Sequence, residues 1–507
     1  MKRLLFSVLC ALPMMAMAQN ATIRINTSRV IGEIDPNIYG VFMEPISFKG
    51  SPGSPMSGNT LYGPLYDPSS PLANKDGFKT NYIDAMKELK IRNMRWPGGN
   101  YVAGYNWQDG IGPKDQRPVR KDLAWGGLDT NQVGTDEWIA LNKAIGSENI
   151  ICVNLGLGDI SNARYWLEYC NSDEGTTFAK KRAEYGHPQP YNVKYWGLGN
   201  EVDGEPWIMG HKDADEYCKV AVEAAKALKS VDKSIQLVAS GSSYYEPTGK
   251  WLEWNRKVIT ALTGVADYLS IHRYWNDGSS SKEYYDYVGD AAMDIESKIT
   301  TVQSQVNIAK ALYPDKKPLY LTMDEWGTFG QSMREVMALT MNLNSFIRHA
   351  DFVKMSDFTM MTSLLSTDKE KGTYKSPFFY AYKLFSNNCL GSSVDTQVIC
   401  DTFDAKVNKG IPFLDVTTAY SKANGKIYIN VVNRNQSKAI TADIFSDASS
   451  FEGKAVASQI CYGLDEKFAY AADNAYAPAK KNVDVKSNKM TIAFPAHSFT
   501  QIEVGIK

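Results

Sequence analysis

KYWGLGNEVDG, residues 194–204, alternates aromatic and aliphatic side chains like a buried strand, then breaks into Gly199, Asn200 and a carboxylate, Glu201. Parallel β/α architectures present reactive groups this way: the strand fixes the backbone and the loop beyond it opens to solvent. PLYLTMDEWG, residues 318–327, has the same build and ends in Asp324-Glu325-Trp326. Outward from these two, strand and helix patterns alternate eight times. The other strands are PNIYGVFMEPI (36–46), IRNMRWPGGN (91–100), ENIICVNLGLG (148–158), SIQLVASGS (234–242), VADYLSIHRYW (265–275) and DFVKMSDFTMM (351–361). Helical periodicity separates them over 78–90, 135–147, 160–171, 214–231, 251–262, 283–312 and 332–350, with Thr135 as an expected N-cap. Eight such units predict an α/β fold, a closed (β/α)8 TIM barrel.

The flanks have a different texture. Residues 21–34 alternate like a half-buried antiparallel strand. Past a last helix over 376–385, VTTAYSKANGKIYINVVNRNQSKAITADI carries Asn424-Gly425 between alternating runs, a hairpin signal. TIAFPAHSFTQIEVGI closes the chain as further short strands. The expected organisation is a signal peptide over 1–18, an N-terminal strand over 19–35 pairing with a β-sandwich, the catalytic barrel over 36–387 and the C-terminal β-sandwich over 388–507. The signal reading rests on Lys2 and Arg3, an apolar run and Ala16-Met17-Ala18 as a cleavage site, and it predicts export to the periplasm or medium. The apolar run is too short to span a bilayer, and no later stretch approaches the roughly 20 apolar residues a spanning helix needs.

Formal net charge is −1, and −3 once Lys2 and Arg3 leave with the signal. Nucleic acid and anionic membranes require a concentrated basic surface, so neither is an expected partner. Six cysteines follow residue 18 without C-x-x-C spacing, which argues against a zinc site. Disulfides and buried thiols both stay open for them, with Cys152 in a strand favouring the thiol. The 29 Tyr and 11 Trp suit stacking on sugar rings.

Glu201 and Glu325 end the fourth and seventh strands, which share the mouth of one ring. Two facing carboxylates there suit glycoside hydrolysis: one stays protonated and delivers a proton to the leaving oxygen, the other stays ionised. In a retaining enzyme they stand about 5–5.5 Å apart and the second attacks the anomeric carbon. Asn200 can bond a sugar hydroxyl beside the reacting carbon, and His272 or Tyr274 can hold Glu325 as an anion. Neither a metal nor an organic cofactor is called for.

RWPGGNYVAGYNWQDGIGP (95–113), GLGNEVDGEPW (197–207), SIHRYW (270–275) and LTMDEWG (321–327) resemble the motifs of family 51 α-L-arabinofuranosidases, as does IYGVFMEP (38–45). The resemblance implies a retaining (β/α)8 glycosidase with a terminal sandwich. It also implies Glu201 as acid/base and Glu325 as nucleophile, with Glu44, Asn100, Asn200 and Tyr274 binding the furanosyl hydroxyls and His272 supporting the nucleophile. Trp96, Trp107, Trp207, Trp275 and Trp326 fit either a core or a sugar platform, and Trp107 and Trp275 are the better platform candidates. The chain departs from the family pattern at MTSLLSTD, where Ser366 stands near the place of a sugar-binding glutamine, and at Gly327-Thr328, where asparagine is more usual.

The sequence therefore predicts an exported exo-acting α-L-arabinofuranosidase releasing terminal residues from arabinan or arabinoxylan side chains. The alternative is an endo-β-glucanase or β-xylosidase of the same clan. The implied partner is an arabinose-containing plant polysaccharide or oligosaccharide. A homo-oligomer fits the family, and the chain itself does not decide it.

Overall fold

The computed structural model describes residues 19–48, 58–173, 175–204, 209–244, 249–275, 283–328, 330–368 and 371–507. The signal reading of residues 1–18, Trp207 and part of the Pro/Gly-rich loop after Ser47 lie outside the described residues.

Eight parallel strands close the expected barrel: Gly40–Phe42, Asn93–Trp96, Glu148–Val153, Tyr195–Leu198, Gln236–Ser240, Tyr268–Trp275, Tyr320–Thr328 and Val353–Thr359. Each pairs with the next, and the eighth returns to the first through Asp357 opposite Gly40 and Thr359 opposite Phe42. Their side chains are buried almost throughout, because helices cover one face of the sheet and packed side chains fill the other. Among the described residues, no helix is long and apolar enough to cross a membrane.

The helices begin where the chain supplies caps. Asp213 accepts the Glu216 amide at 2.9 Å while Glu216 accepts the Asp213 amide at 3.1 Å, a reciprocal cap on Ala214–Val231. The second barrel helix, Thr135–Ile145, starts differently from expectation. Its N-cap is Gly134, whose N–H donates to Glu137 at 2.9 Å, and Thr135 is buried one position later with its hydroxyl accepting the Trp166 indole N–H at 3.0 Å.

A ten-stranded antiparallel-rich sheet system forms the second unit. Its strand order runs Ala479–Val483, Phe451–Ile460, Ser498–Ile506, Lys426–Asn433, Leu414–Ser421, Gly391–Ile399, Gln19–Ile34, Ile440–Ser446, Lys489–Phe494 and Val485–Lys486. The N-terminal strand thus lies inside this sheet, antiparallel to Gly391–Ile399 and parallel to Ile440–Ser446. Leu414–Ser421 and Lys426–Asn433 pair as a hairpin, turned by Lys422–Asn424 and by Gly425 at φ +60°, a left-handed conformation that glycine adopts without a side-chain clash.

Barrel and sheet meet across Met333–Arg348, a helix buried on every side. It would be anomalous on a surface and is natural between two layers. Two of its polar side chains are met from the sheet side: Asn344 donates to Asp415 at 3.0 Å and accepts from Thr417 at 2.8 Å, and Arg348 donates to Asp415 at 2.5 Å while also bonding Glu296 of the neighbouring barrel helix.

Candidate active site

The candidate residues converge because each follows or ends a barrel strand. Glu44 stands two residues past the first strand. The second strand ends at Trp96, and the glycines after it explain the Pro-Gly-Gly-Asn run by contact. A Cβ on Gly98 would lie 2.6 Å from the Val102 Cβ, and one on Gly99 only 2.0 Å from Glu44 Oε2. The chain must pass Glu44 this closely for the Tyr101 N–H to donate to Glu44 Oε1 at 2.7 Å. Past the fourth strand, Gly199 at φ +84° and Glu201 at φ +44° turn the chain sharply. A left-handed glutamate is uncommon and persists where surrounding structure over-determines it, a recurrent feature of functional sites. In the sixth and seventh strands the register sets His272 opposite Glu325 and Tyr274 opposite Gly327.

One carboxylate oxygen of Glu201, one of Glu325 and a ring nitrogen of His272 lie within 4.8 Å of one another. Both glutamates are nearly buried, at 9% and 6% exposed. Tyr274 donates its hydroxyl to Glu325 Oε1 at 2.7 Å, and Arg95 donates to Glu325 Oε2 at 3.1 Å. The same guanidinium reaches Asp324 Oδ2 at 3.1 Å and Asn200 Oδ1 at 2.5 Å, and it lies over the Phe42 ring at 4.6 Å. Asn200 in turn donates to Asn100 Oδ1 at 3.4 Å. The Glu201, His272 and Glu325 cluster is compact enough to hold a cation, and the positive charge built beside it is Arg95.

The surroundings separate the two carboxylates. Burial, then the negative charge of Glu325, raise the pKa of Glu201, while the His272 hydrogen bond opposes them. Glu201 is thereby the better proton donor near neutrality, while Glu325 accepts hydrogen bonds from Tyr274 and Arg95. Burial lowers the pKa of His272, but Glu325, Asp324 and Glu201 outweigh it and bring the imidazole to about 10. Asp324 is carried the other way: burial raises it, yet Arg95 and His272 pull it down to about 2. Glu44 rises to about 8, chiefly through burial and then through Glu325.

Several expectations need correction. His272 divides its contacts: Nδ1 is hydrogen-bonded to Glu201 at 2.8 Å and forms a longer ion pair with Glu325 at 3.7 Å, and Nε2 lies 3.2 Å from Asp324. Trp107 is no platform. It is 0% exposed, stacks on Trp166 with centroids 5.9 Å apart and donates to the Asn162 carbonyl at 3.1 Å. Trp275 is 2% exposed beneath the Arg273 guanidinium at 4.1 Å, so its face is taken as well. Trp96 and Trp326 belong to the core. Ser366 is buried in a two-stranded ribbon opposite Tyr374.

Two residues escape the sequence reading. Arg95 lies inside a motif whose other members drew attention, and an arginine in a strand carries no signal of its own. Trp125 sits on the loop between the second strand and the following helix, and donates its indole N–H to Glu44 Oε1 at 2.8 Å. Asp122 shapes that loop by accepting the amides of Ala124, Trp125 and Ser47, each at 3.0 Å. No periodicity announces such a contact. All six cysteines among the described residues are free thiols, Cys152 being buried in the barrel wall.

Comparison with known proteins agrees with this geometry. The model of the alpha-L-arabinofuranosidase 1 domain matches residues 85–292, and that of the alpha-L-arabinofuranosidase C-terminal domain matches residues 324–498. An intracellular exo-alpha-(1->5)-L-arabinofuranosidase from Halalkalibacterium halodurans is 32% identical, covering 88% of this chain and 90% of its own length. One of the same description from Bacillus subtilis is 34% identical over 81% of this chain and 84% of its own. The solved structure of a family 51 alpha-L-arabinofuranosidase from Bifidobacterium longum superposes with a TM-score of 0.87 at 25% identity, covering 96% of this chain and 99% of that one. Both sequence relatives are named intracellular, which overturns the expectation of a periplasmic or secreted enzyme read from residues 1–18. On sequence, domain matches and architecture together, the chain belongs to the family 51 α-L-arabinofuranosidases, retaining glycoside hydrolases built on a TIM barrel with a β-sandwich.

Proposed function

We propose that this enzyme acts at the non-reducing ends of arabinan or arabinoxylan side chains, releasing terminal α-L-arabinofuranosyl residues one at a time. Glu325 is the nucleophile and Glu201 the acid/base. Glu325 attacks the anomeric carbon as the bond to the leaving oxygen breaks, and Glu201 gives that oxygen its proton. A water molecule then surrenders a proton to Glu201 and displaces Glu325, so the sugar leaves with its configuration retained. Arg95 and Tyr274 steady the Glu325 anion, and His272 orients Glu201. Glu44, Asn100 and Asn200 bind the ring hydroxyls individually, since a buried hydroxyl left unpaired costs about 1–3 kcal/mol.

The observation that carries this reading is the meeting of Glu201 and Glu325 within 4.8 Å of each other and of His272, close to the separation of a retaining pair. The exo action rests on the names of the two bacterial relatives. A panel of 4-nitrophenyl α-L-arabinofuranoside, linear arabinan, 4-nitrophenyl β-xyloside and β-glucan tests it. The arabinofuranoside should be cleaved and arabinan should yield arabinose as its first product. Preferential cleavage of the xyloside or glucan, or early release of arabinan oligomers, would refute the proposal.

A further inference from the structure

Two residues before Thr359, whose hydroxyl meets Tyr274, the eighth strand carries a carboxyl group that the reaction leaves unused. Asp357 stands opposite Gly40 and is 0% exposed, and neither of its carboxyl oxygens has a hydrogen-bond partner among the described residues. Native proteins rarely leave a buried polar group in that state without a reason. A Cβ on Gly40 would lie 1.9 Å from Asn93 Oδ1 and 2.4 Å from Asp357 Oδ1, so the missing side chain lets the two oxygens crowd one spot. Asn93 is likewise 0% exposed, and its Oδ1 has no donor among the described residues. Turning its amide over would not help. Asn93 Nδ2 donates to the Asn37 carbonyl at 2.8 Å, and the flipped amide would set oxygen against oxygen there. Two acceptors thus converge in a buried place with no donor between them. A carboxylate would be repelled from Asn93 Oδ1, whereas a carboxylic acid supplies the missing O–H.

We propose that Asp357 is held as the neutral carboxylic acid, its proton directed at Asn93 Oδ1, and that it is a positioning residue whose neutrality keeps Arg95 for the nucleophile. The second half of this proposal rests on the reading of Glu325 given above. The charged and titratable groups around Asp357 are Arg95 of the second strand, Asp324 of the seventh and Tyr382 of the helix Pro377–Asn388. Tyr382 spends its hydroxyl proton on the Gly40 carbonyl at 2.8 Å. Arg95 is committed elsewhere: Nε reaches Asp324 at 3.1 Å, Nη1 reaches Glu325 at 3.1 Å and Nη2 reaches Asn200 at 2.5 Å. Burial first and Asp324 second push Asp357 well above the usual carboxylate range, with Arg95 opposing them. A third anion beside this one guanidinium would compete with Glu325 for it. A neutral acid does not, so Arg95 answers Asp324 and Glu325 alone.

The full-length enzyme and its Asp357→Asn variant, compared by urea unfolding between pH 5 and pH 8, test this. Asparagine stands in for the neutral acid, carrying no charge and offering an N–H to Asn93. In the wild type Asp357 keeps its proton when folded and loses it on unfolding, because its ordinary pKa is 3.8. The wild-type unfolding constant should therefore rise about tenfold per pH unit relative to the variant, which has no proton to lose at this position. An Asp357 that is ionised in the folded state, alone or around a lodged cation, would give a constant ratio and overturn the proposal. A second readout covers a variant that does not fold. At pH 8 the wild type should show the infrared C=O stretch of a protonated carboxyl, shifted when aspartate alone is labelled with carbon-13; absence of that band would overturn the proposal equally. For Arg95, the acidic limb of kcat/KM on 4-nitrophenyl α-L-arabinofuranoside should stand at the same pH in both proteins. A limb displaced to lower pH in the variant would mean that an anion had been removed from beside Glu325, and would refute the neutral acid. An undiminished Glu325→Ala enzyme would instead refute the parent reading and leave the unfolding and infrared results untouched.

Discussion

Replacing Gly99 with alanine probes how tightly the sugar-binding wall is built. The new Cβ would stand 2.0 Å from Glu44 Oε2 and 2.4 Å from its Cδ. Ordinary contact begins near 3.5 Å, so the carboxylate must retreat by about 1.5 Å. Glu44 is pinned by two donors, the Tyr101 amide at 2.7 Å and the Trp125 indole at 2.8 Å, and a shift of that size breaks at least one of them. A hydrogen bond of this kind contributes about 1–3 kcal/mol, and displacing a binding group by about 1 Å can cost 10²-fold in rate. The expected result is a fall in kcat/KM of about 10- to 100-fold on 4-nitrophenyl α-L-arabinofuranoside, with the far-ultraviolet spectrum unchanged. The backbone at Gly99 has φ −53°, so the substitution brings no left-handed strain. A variant within twofold of wild type would show that Glu44 does not hold the sugar, or that this wall yields freely.

Trp125→Phe keeps the ring but removes the donor to Glu44, and should raise KM by about 5- to 10-fold with a smaller change in kcat, read in steady-state kinetics. His272→Gln bears on the basic limb of the pH profile. Burial and Glu325 raise the Glu201 pKa and His272 opposes them, so losing the imidazole should move the limb of kcat/KM to higher pH; a limb that stays or moves down would contradict the assignment. Asp324 bears on acid stability. Its folded pKa, depressed from 3.8 to about 2, gives a contribution that is present above pH 3.8 and lost as pH falls towards 2, worth about 2 kcal/mol. Urea unfolding should therefore show the gap between wild type and Asp324→Asn narrowing between pH 5 and pH 2.5.

The barrel was legible because its signal is periodic: eight apolar strands alternate with amphipathic helices, and Glu201 and Glu325 each close one of them. Tyr274 was legible for the same reason. What the sequence hid depends on distance across the ring or on a loop's path. His272 shares a register position with Glu325, yet its ring reaches Glu201, since Glu201 turns back through a left-handed backbone and the sixth and seventh strands slip register between Ser270 and His272. Arg95 enters the site only because the second strand faces the fourth and seventh across the closed barrel. Trp107 misled by adjacency: it follows the glycine-rich motif in sequence but packs outward against Trp166, Tyr169 and Phe178. The amino-terminal pattern suggested export, and the relatives' names overrode it.

The most direct measurement of the central claim is the product formed by Glu201→Ala from 2,4-dinitrophenyl α-L-arabinofuranoside in the presence of azide. That leaving group needs no proton, so Glu325 should still form the glycosyl-enzyme, and azide should accelerate its breakdown to α-L-arabinofuranosyl azide of retained configuration. Inverted azide as the product, or no response to azide at all, would contradict the assignment of these two glutamates.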